Sequence, residues 1–339
     1  MLDQFDYGTT LAEEELVRKR WPTVGEKVAL VDADLIPHII CYAVNSLMQA
    51  RAESRIERGE CKTLTETPEF QQVADKACML YNLWIRSAGC DAAIPYMTDS
   101  ASNFRIGLAF TKQYKGQRKE KPFFFAELKA FMIETLGCIV SNGDEADDLI
   151  AIEAHRRNQQ FVAAGVKLGS AAHKELCDFV IVSSDKDSRI TPGAHYDPRN
   201  KRHTFGDELG WFEVEWKPDG KLKDLKGCGL KFFYSQLIVG DSADNYPGIP
   251  FKGAPLAYEL LNGCTSEKEL FVAVLGAYKK KYGTQPTLQD NYRGGSRMMT
   301  AIERMHEQGR LAHMSRFPGD IWRSDKAPIL WGDKEELWQ

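Results

Sequence analysis

S-N-G-D-E-A-D-D-L-I-A-I-E-A, residues 141–154, carries four acids in five positions immediately ahead of a helical apolar run. Asn142 and Gly143 form a breaker and Asp144 is the expected N-cap. Ala146, Leu149, Ile150 and Ala154 recur at helical spacing, which puts Glu145, Asp147 and Asp148 in the first turn. Acids at a helix N-terminus complement its dipole for roughly 0.3 to 1 kcal/mol each, which accounts for one or two of them. Side chains leaving a helix end at different azimuths also converge beyond its last turn, where a hard cation collects carboxylate oxygens. Either way, concentrated negative charge sits at one helix end.

Working outward, the same arrangement of apolar run followed by carboxylate recurs. K-V-A-L-V-D (27–32) is a buried-strand pattern ending in Asp32, with Asp34 two residues on. Residues 92–98 end at Asp99, although Pro95 argues against a central strand. D-F-V-I-V-S-S (178–184) runs into Asp185 and Asp187. Between these lie helical segments. One spans 42–90, broken near Gly59 and Pro68, with Phe70, Val73, Ala77, Leu80 and Leu83 on its core face. Another, opened by Pro122, spans 123–137 with Phe124, Leu128, Phe131 and Leu136 inward. Alternation of this kind predicts an α/β fold with a mainly parallel central sheet flanked by helices. Ligands of such sheets bind beyond the carboxyl ends of the strands. Asp32, Asp99, the Glu145 cluster and Asp185 are therefore expected at one site, while each Asp taken singly also suits a turn cap.

Elsewhere, Thr10 and Glu13 form a capping box opening a short helix over 10–21. T-K-Q-Y-K-G-Q-R-K-E-K (111–121) holds five basic residues against one acid, a pattern usual for a solvated loop. Residues 211–220 read as a hairpin arm and turn. Helices are expected over 230–239 and 254–261, joined by G-D-S-A-D-N (240–245) and by Gly248 to Gly253, whose backbone amides suit a phosphate. Beyond 265, further helices are expected around a Gly294-Gly295 break, then a tail anchored by Trp331 and Trp338. With 339 residues, two units are expected, 1–230 and 231–339. Eight cysteines without C-x-x-C spacing read as reduced thiols of a cytoplasmic protein, and no signal peptide or membrane span is expected. The net charge of -4 argues superficially against nucleic acid.

Taken together, V-D-A-D (31–34), T-D-S (98–100), Y-K-G-Q-R (114–118), D-E-A-D-D (144–148), S-S-D-K-D (183–187) and G-D-S-A-D-N-Y-P-G-I (240–249) resemble the flap endonuclease and 5'-to-3' exonuclease superfamily, in that family's order. The helical segment before Asp99 and the Trp-rich tail look more like bacteriophage 5'-to-3' exonucleases than like the nuclease domain of bacterial DNA polymerase. The resemblance implies a PIN/resolvase-like nuclease core, with an arch or gateway over 100–136, and a helix-three-turn-helix DNA-binding region. It implies a first ion site of Asp32, Asp99, Glu145, Asp147 and Asp148 and a second of Asp185, Asp187, Asp241 and Asp244. Two Mg2+ ions would fill them, with Mn2+ able to substitute, and K+ would sit on carbonyls of the 248–253 turn. Lys115 and Arg118 would be catalytic, facing the scissile phosphate. DNA contacts would come from Tyr114, Lys115, Arg118, Lys119, Gly248, Lys252 and Gly253. Asp34 has no ligand role in that pattern and would brace a neighbour or cap a turn.

The implied function is metal-dependent 5'-to-3' exonuclease and flap endonuclease activity in viral DNA replication or recombination. Its partners would be duplex DNA with a free 5' end, flaps and RNA/DNA hybrids, met by a monomer with no membrane attachment, in host cytoplasm if phage-encoded. Phosphodiester hydrolysis needs a deprotonated water, charge neutralisation and a stabilised leaving oxygen, all within the scope of two hard cations. Setting aside the nine proposed ligand carboxylates leaves +5 on the remainder of a chain of net charge -4, so DNA attraction survives ion binding. Two alternatives stay open. D-x-D in V-D-A-D-L also suits a haloacid-dehalogenase-type phosphatase, with Asp32 as nucleophile and Asp34 as acid/base. The other is a DNA-binding relative without cleavage.

Overall fold

The computed structural model describes residues 25–99, 102–117 and 120–322. The expected helix over 10–21, Arg118, Lys119 and the tail with Trp331 and Trp338 lie outside the described residues.

In chain order the first part comprises β1 (Val28–Asp32), α1 (Leu35–Cys41), α2 (Ser46–Glu57), α3 (Pro68–Ser87), β2 (Ala92–Met97), α4 (Phe104–Leu108), α5 (Phe125–Leu136), β3 (Ile139–Val140), α6 (Ala146–Ala163), α7 (Ala171–Leu176), β4 (Phe179–Val182), β5 (Gly193–Asp197) and β6 (Arg202–Gly206). The sheet runs β3-β2-β1-β4-β5-β6, parallel throughout except for β6. The α/β expectation with a mainly parallel central sheet is met. Every residue of β1, β2 and β4 is buried, as continuous apolar runs covered on both faces require. Val31, Val182 and Met97 pack with Ile36, Phe70, Ala77 and Leu128 of α1, α3 and α5. Leu30, Ile94 and Ile181 face Ala146, Ile150 and Ala154 of α6.

Pro95 sits inside the sheet after all. Tyr96 and Met97 offer their carbonyls to Ala33 and Ser141 on opposite sides, so by alternation Pro95 faces the β3 side. β3 pairs only with Tyr96 and Met97, and the missing N–H of Pro95 therefore costs no ladder bond. Leu83 is a correction: it is exposed, and Trp84, one position on, takes the core place. β5 and β6 went unread because their polar residues, His195, Arg202 and His203, break the apolar pattern at the sheet edge.

The second part holds the hairpin β7 (Phe212–Trp216) and β8 (Leu222–Gly227), then α8 (Gly229–Val239), α9 (Ala254–Leu261), α10 (Glu267–Tyr282), the hairpin β9 (Thr287–Asp290) and β10 (Ser296–Met299), and α11 (Ala301–Ala312). The Gly294-Gly295 break is the turn of β9 and β10 rather than a helix boundary. Both glycines take positive φ, which this turn demands. Phe233, Tyr234, Phe271, Val274, Tyr278, Met305 and Trp322 form this part's core, which also takes in Ala109 and Tyr114 from the first part. All eight cysteines are free. Among the described residues no helix is long and apolar enough to cross a membrane.

Candidate metal centre and active site

α6 starts one residue later than its sequence suggests. Glu145 is its N-cap, and Asp148 at the third helical position reaches back to the Glu145 N–H (3.1 Å). The end of β2 sets this start. Thr98 Oγ1 accepts from Ala146 N (2.9 Å), and Ser141 Oγ accepts from Asp99 N while donating to the Asp144 carbonyl. Asp144 is thereby displaced from the cap.

Asp32, Asp34, Asp99, Glu145, Asp147 and Asp185 line one cavity of about 440 Å³ at the carboxyl ends of β1, β2 and β4, together with Tyr114, Lys115 and Lys129. This is the convergence that the repeated strand-then-acid pattern predicts. Asp32 accepts from Ser183 Oγ (2.9 Å), and burial, with Asp34 and Asp185 adding repulsion, pushes its carboxyl up to about 8. Both oxygens of Asp34 face Thr98 N (3.2 and 3.1 Å), so Asp34 braces β1 against the end of β2. In the phosphatase alternative that same carboxylate would have to move protons. Asp147 is raised well above the carboxylate range by burial and then by Glu145 and Asp148. Burial alone would raise Glu145 too, but Lys115 and Arg105 outweigh it and hold Glu145 low.

Asp187, Asp241 and Asp244 do not line that cavity; they lie toward α8 and the turn after it. Lys186 Nζ bridges Asp187 (2.8 Å) and Asp241. Asp241 also takes Ala243 N (2.6 Å) and Asp244 N (3.2 Å). Asp244 accepts from Tyr114 Oη (2.9 Å) and lies 3.6 Å from Lys115 Nζ, which also pairs with Glu145. Cations of the chain itself thus stand among the acids of both expected ion sites.

Two expected DNA contacts are corrected. Tyr114 is buried, and its hydroxyl donates to Glu145 (2.8 Å) and Asp244, tying the two acid groups together rather than facing a nucleic acid. Gly248 is buried as well, and its N–H donates to Gln308 Oε1 (3.0 Å), leaving no amide for a phosphate. Its glycine is required by packing, since a Cβ there would lie 2.4 Å from Gly240 N. Lys252 is exposed, Gly253 is half-buried at the start of α9, and the neighbouring Phe251 is 98% exposed with Lys281 Nζ 5.5 Å from its ring centre.

The residues fit hard divalent ions. Among the described residues Glu145, Asp147 and Asp148 offer oxygens within 4.8 Å of one another, and the cavity wall is dominated by carboxylates, with no thiolate and with His38 as its imidazole. Asp148 meets the distance test, yet its oxygens are occupied: Arg105 engages both (2.6 and 2.7 Å), with Glu145 N and Ser315 N (3.1 Å) as further donors. Arg105 escaped sequence reasoning. Its only signal is a lone arginine within the apolar F-R-I-G-L-A-F run, 104–110.

Ion binding should be strongly pH-linked. Asp32 and Asp187 titrate near 8 and 7 in the fold against an ordinary 3.8. The folded state therefore holds protons that the unfolded chain releases. Their stabilisation is complete below about pH 4 and is lost as pH rises through about 7 to 8. Melting in EDTA should accordingly fall across that window, and the rise in Tm on adding Mg2+ should be larger near pH 8 than near pH 6. A gain independent of pH would contradict the proposed binding at these carboxylates.

No family model matches the chain. Over an alignment 171 positions long, which covers 48% of this chain, it is 36% identical to DNA polymerase I of Rhizobium leguminosarum and spans 14% of that relative's length. Among solved structures, a bacteriophage T5 protein co-crystallised with metal ions aligns over 84% of this chain and 88% of its own, at 14% identity and TM-score 0.41. The T5 5'-exonuclease with bound zinc aligns over 76% and 90%, at 15% identity and TM-score 0.38. The T5 flap endonuclease with DNA and metal ions aligns over the same shares, at 14% and 0.37.

Proposed function

We propose that this chain is a divalent-metal-dependent 5'-to-3' exonuclease and flap endonuclease that hydrolyses phosphodiester bonds of DNA. The observation that carries this reading is the meeting of Asp32, Asp99, Glu145, Asp147 and Asp185 in one cavity with the Lys115 ammonium beside them. The motif resemblance and the DNA polymerase I relative point the same way. Two Mg2+ ions, or Mn2+, held by these carboxylates and by Asp187, Asp241 and Asp244 would supply water activation and neutralise charge on the phosphate.

The chain's own groups do the rest. Lys115 presents a cation to the phosphate, and Tyr114 keeps Glu145 and Asp244 in register. Arg118 and Lys119 extend the basic segment as expected from the sequence. Lys252 and Phe251, on the turn between α8 and α9, suit a duplex backbone, the lysine by charge and the ring by apolar contact with sugar. We assign that turn, with Gly253 and a carbonyl-held K+, to the helix-three-turn-helix role, and residues 1–230 and 231–339 to a nuclease core and a duplex-gripping part. DNA replication in the cytoplasm, as a monomer, is the setting that follows, with RNA of hybrids as a second substrate.

The test is cleavage of 5'-labelled and 3'-labelled duplex, flap and hybrid substrates in Mg2+ and in EDTA. Short products released first from 5' ends, and none in EDTA, are expected. Equal cleavage in EDTA, or hydrolysis confined to a small phosphate monoester, would overturn the assignment.

A further inference from the structure

Arg105 is 2% exposed, and its guanidinium lies directly behind the candidate ion site. Its N–H donors are all used. Nε reaches the Leu311 carbonyl (3.2 Å), one terminal nitrogen reaches Glu145 (3.2 Å) and Asp148 (2.6 Å), and the other reaches Asp148 (2.7 Å) and the His313 carbonyl (2.6 Å). Five donors therefore meet five acceptors, the full capacity of the group. Asp148 is filled in the same way. Its two oxygens take four bonds, two from Arg105, one from Glu145 N and one from Ser315 N (3.1 Å), which matches the roughly four lone-pair sites of a carboxylate. Asp148 is 0% exposed and absent from the cavity wall formed by Glu145 and Asp147.

We propose that Arg105 is a positioning residue: it fixes Glu145 for ion binding, uses Asp148 as its buried counter-charge rather than as an ion ligand, and makes residues 311–315 the back wall of the site. This rests on reading the acid cavity as a divalent-ion site. The physical case is geometric. A planar fork bound on both edges sets the Glu145 carboxylate by direct contact and, through Asp148, sets the Glu145 backbone as well. Groups that orient ligands from behind typically alter ion affinity about 10- to 100-fold when removed. Lysine preserves the charge at this position but offers three donors from a single point, so the two-sided grip is lost.

Calorimetric titration of DNA-free protein with Mn2+ is the first readout. Arg105→Lys should bind the ion about 10- to 100-fold more weakly while keeping its fold by circular dichroism in EDTA. At saturating ion its kcat, referred to the folded fraction read by circular dichroism, should fall with KM for DNA near that of the parent, a split that a loss of folded enzyme alone does not leave after that correction. Parent-like ion affinity in folded Arg105→Lys would overturn the proposal. Should that variant not fold, Asp148→Asn and Asp147→Asn decide. Losing the counter-charge of a buried guanidinium should lower Tm in EDTA for Asp148→Asn, whereas losing one of several mutually repelling acids should raise it for Asp147→Asn. A rise for Asp148→Asn together with lost ion binding would make Asp148 a ligand and overturn the proposal. Unchanged ion affinity in Asp147→Asn would instead remove the ion-site reading beneath it.

Discussion

Asp185→Asn is expected to cleave 5'-labelled duplex on the order of 10³-fold more slowly than the parent at saturating Mg2+, the rate equivalent of several kcal/mol of lost charge stabilisation at the phosphate. DNA binding in EDTA should stay close to the parent's. Asp185 lies three residues beyond β4, lines the cavity with Asp32 and Glu145, and accepts from Asp187 N (2.9 Å) to start the turn over 186–190. Asparagine keeps that acceptor and nearly the same volume, so the turn holds and only the charge is lost. Asp185 is also among the neighbours that raise Asp32 and Asp187 by repulsion. Its neutralisation should therefore leave the ion-free protein as stable as the parent or more so, which thermal melting in EDTA reads directly. Equal loss of cleavage and of DNA binding would place Asp185 in the DNA grip instead.

What the sequence made legible is what depends on local pattern. An apolar run long enough for one strand, ended by Asp, specifies both a sheet element and the end at which its acid emerges. Asp32, Asp99 and Asp185 could therefore be brought to one place without knowledge of any contact. The acidic helix start was equally legible, to within one residue. Where reading failed, the deciding contact was distant. Asp144 lost its cap position to Glu145, because Thr98, across the sheet end, takes the N–H of Ala146. Tyr114 reads as one aromatic in a basic surface run, yet the segment around it is folded onto the second core: Glu307, on α11, accepts from Phe110 N (2.9 Å) and Thr111 N (2.6 Å). That contact turns the tyrosine inward and brings Lys115 to the acids.

Gly248 illustrates a second kind of miss. Glycine in this pattern suggests freedom for a ligand to approach the backbone, and the space is instead taken by Gly240 and by the side chain of Gln308. The pattern G-x-x-x-x-G is the same in both cases, and only the packing of α8 against α11 distinguishes them. Asp148 belongs with Glu145 and Asp147 by distance as well as by sequence, within 4.8 Å; what the sequence hides is its partners Arg105 and Ser315, 43 and 167 residues away.

Lys115→Ala should slow single-turnover cleavage by something on the order of 10²- to 10³-fold, by analogy with removing one preorganised donor facing transition-state charge. The structure sharpens this expectation because the lysine is no solvated surface residue. Its ammonium sits between Glu145 and Asp244, and its backbone takes a left-handed φ of 53° while donating to the Asp244 carbonyl (3.0 Å). Two roles are therefore separable. As a mere counter-charge for crowded acids, Lys115 would matter only without ions: the alanine variant would melt lower in EDTA yet cleave at the parent rate in saturating Mg2+. As a group facing the phosphate, it would be missed most at saturating Mg2+, with the salt dependence of binding reduced by about one contact. Lys252→Ala, exposed on the turn before α9, is the control. It should weaken DNA binding and flatten the salt dependence similarly while leaving the single-turnover rate at saturating enzyme unchanged. If Lys115→Ala instead behaves as Lys252→Ala does, the cation beside the acids grips DNA and takes no part in the chemical step.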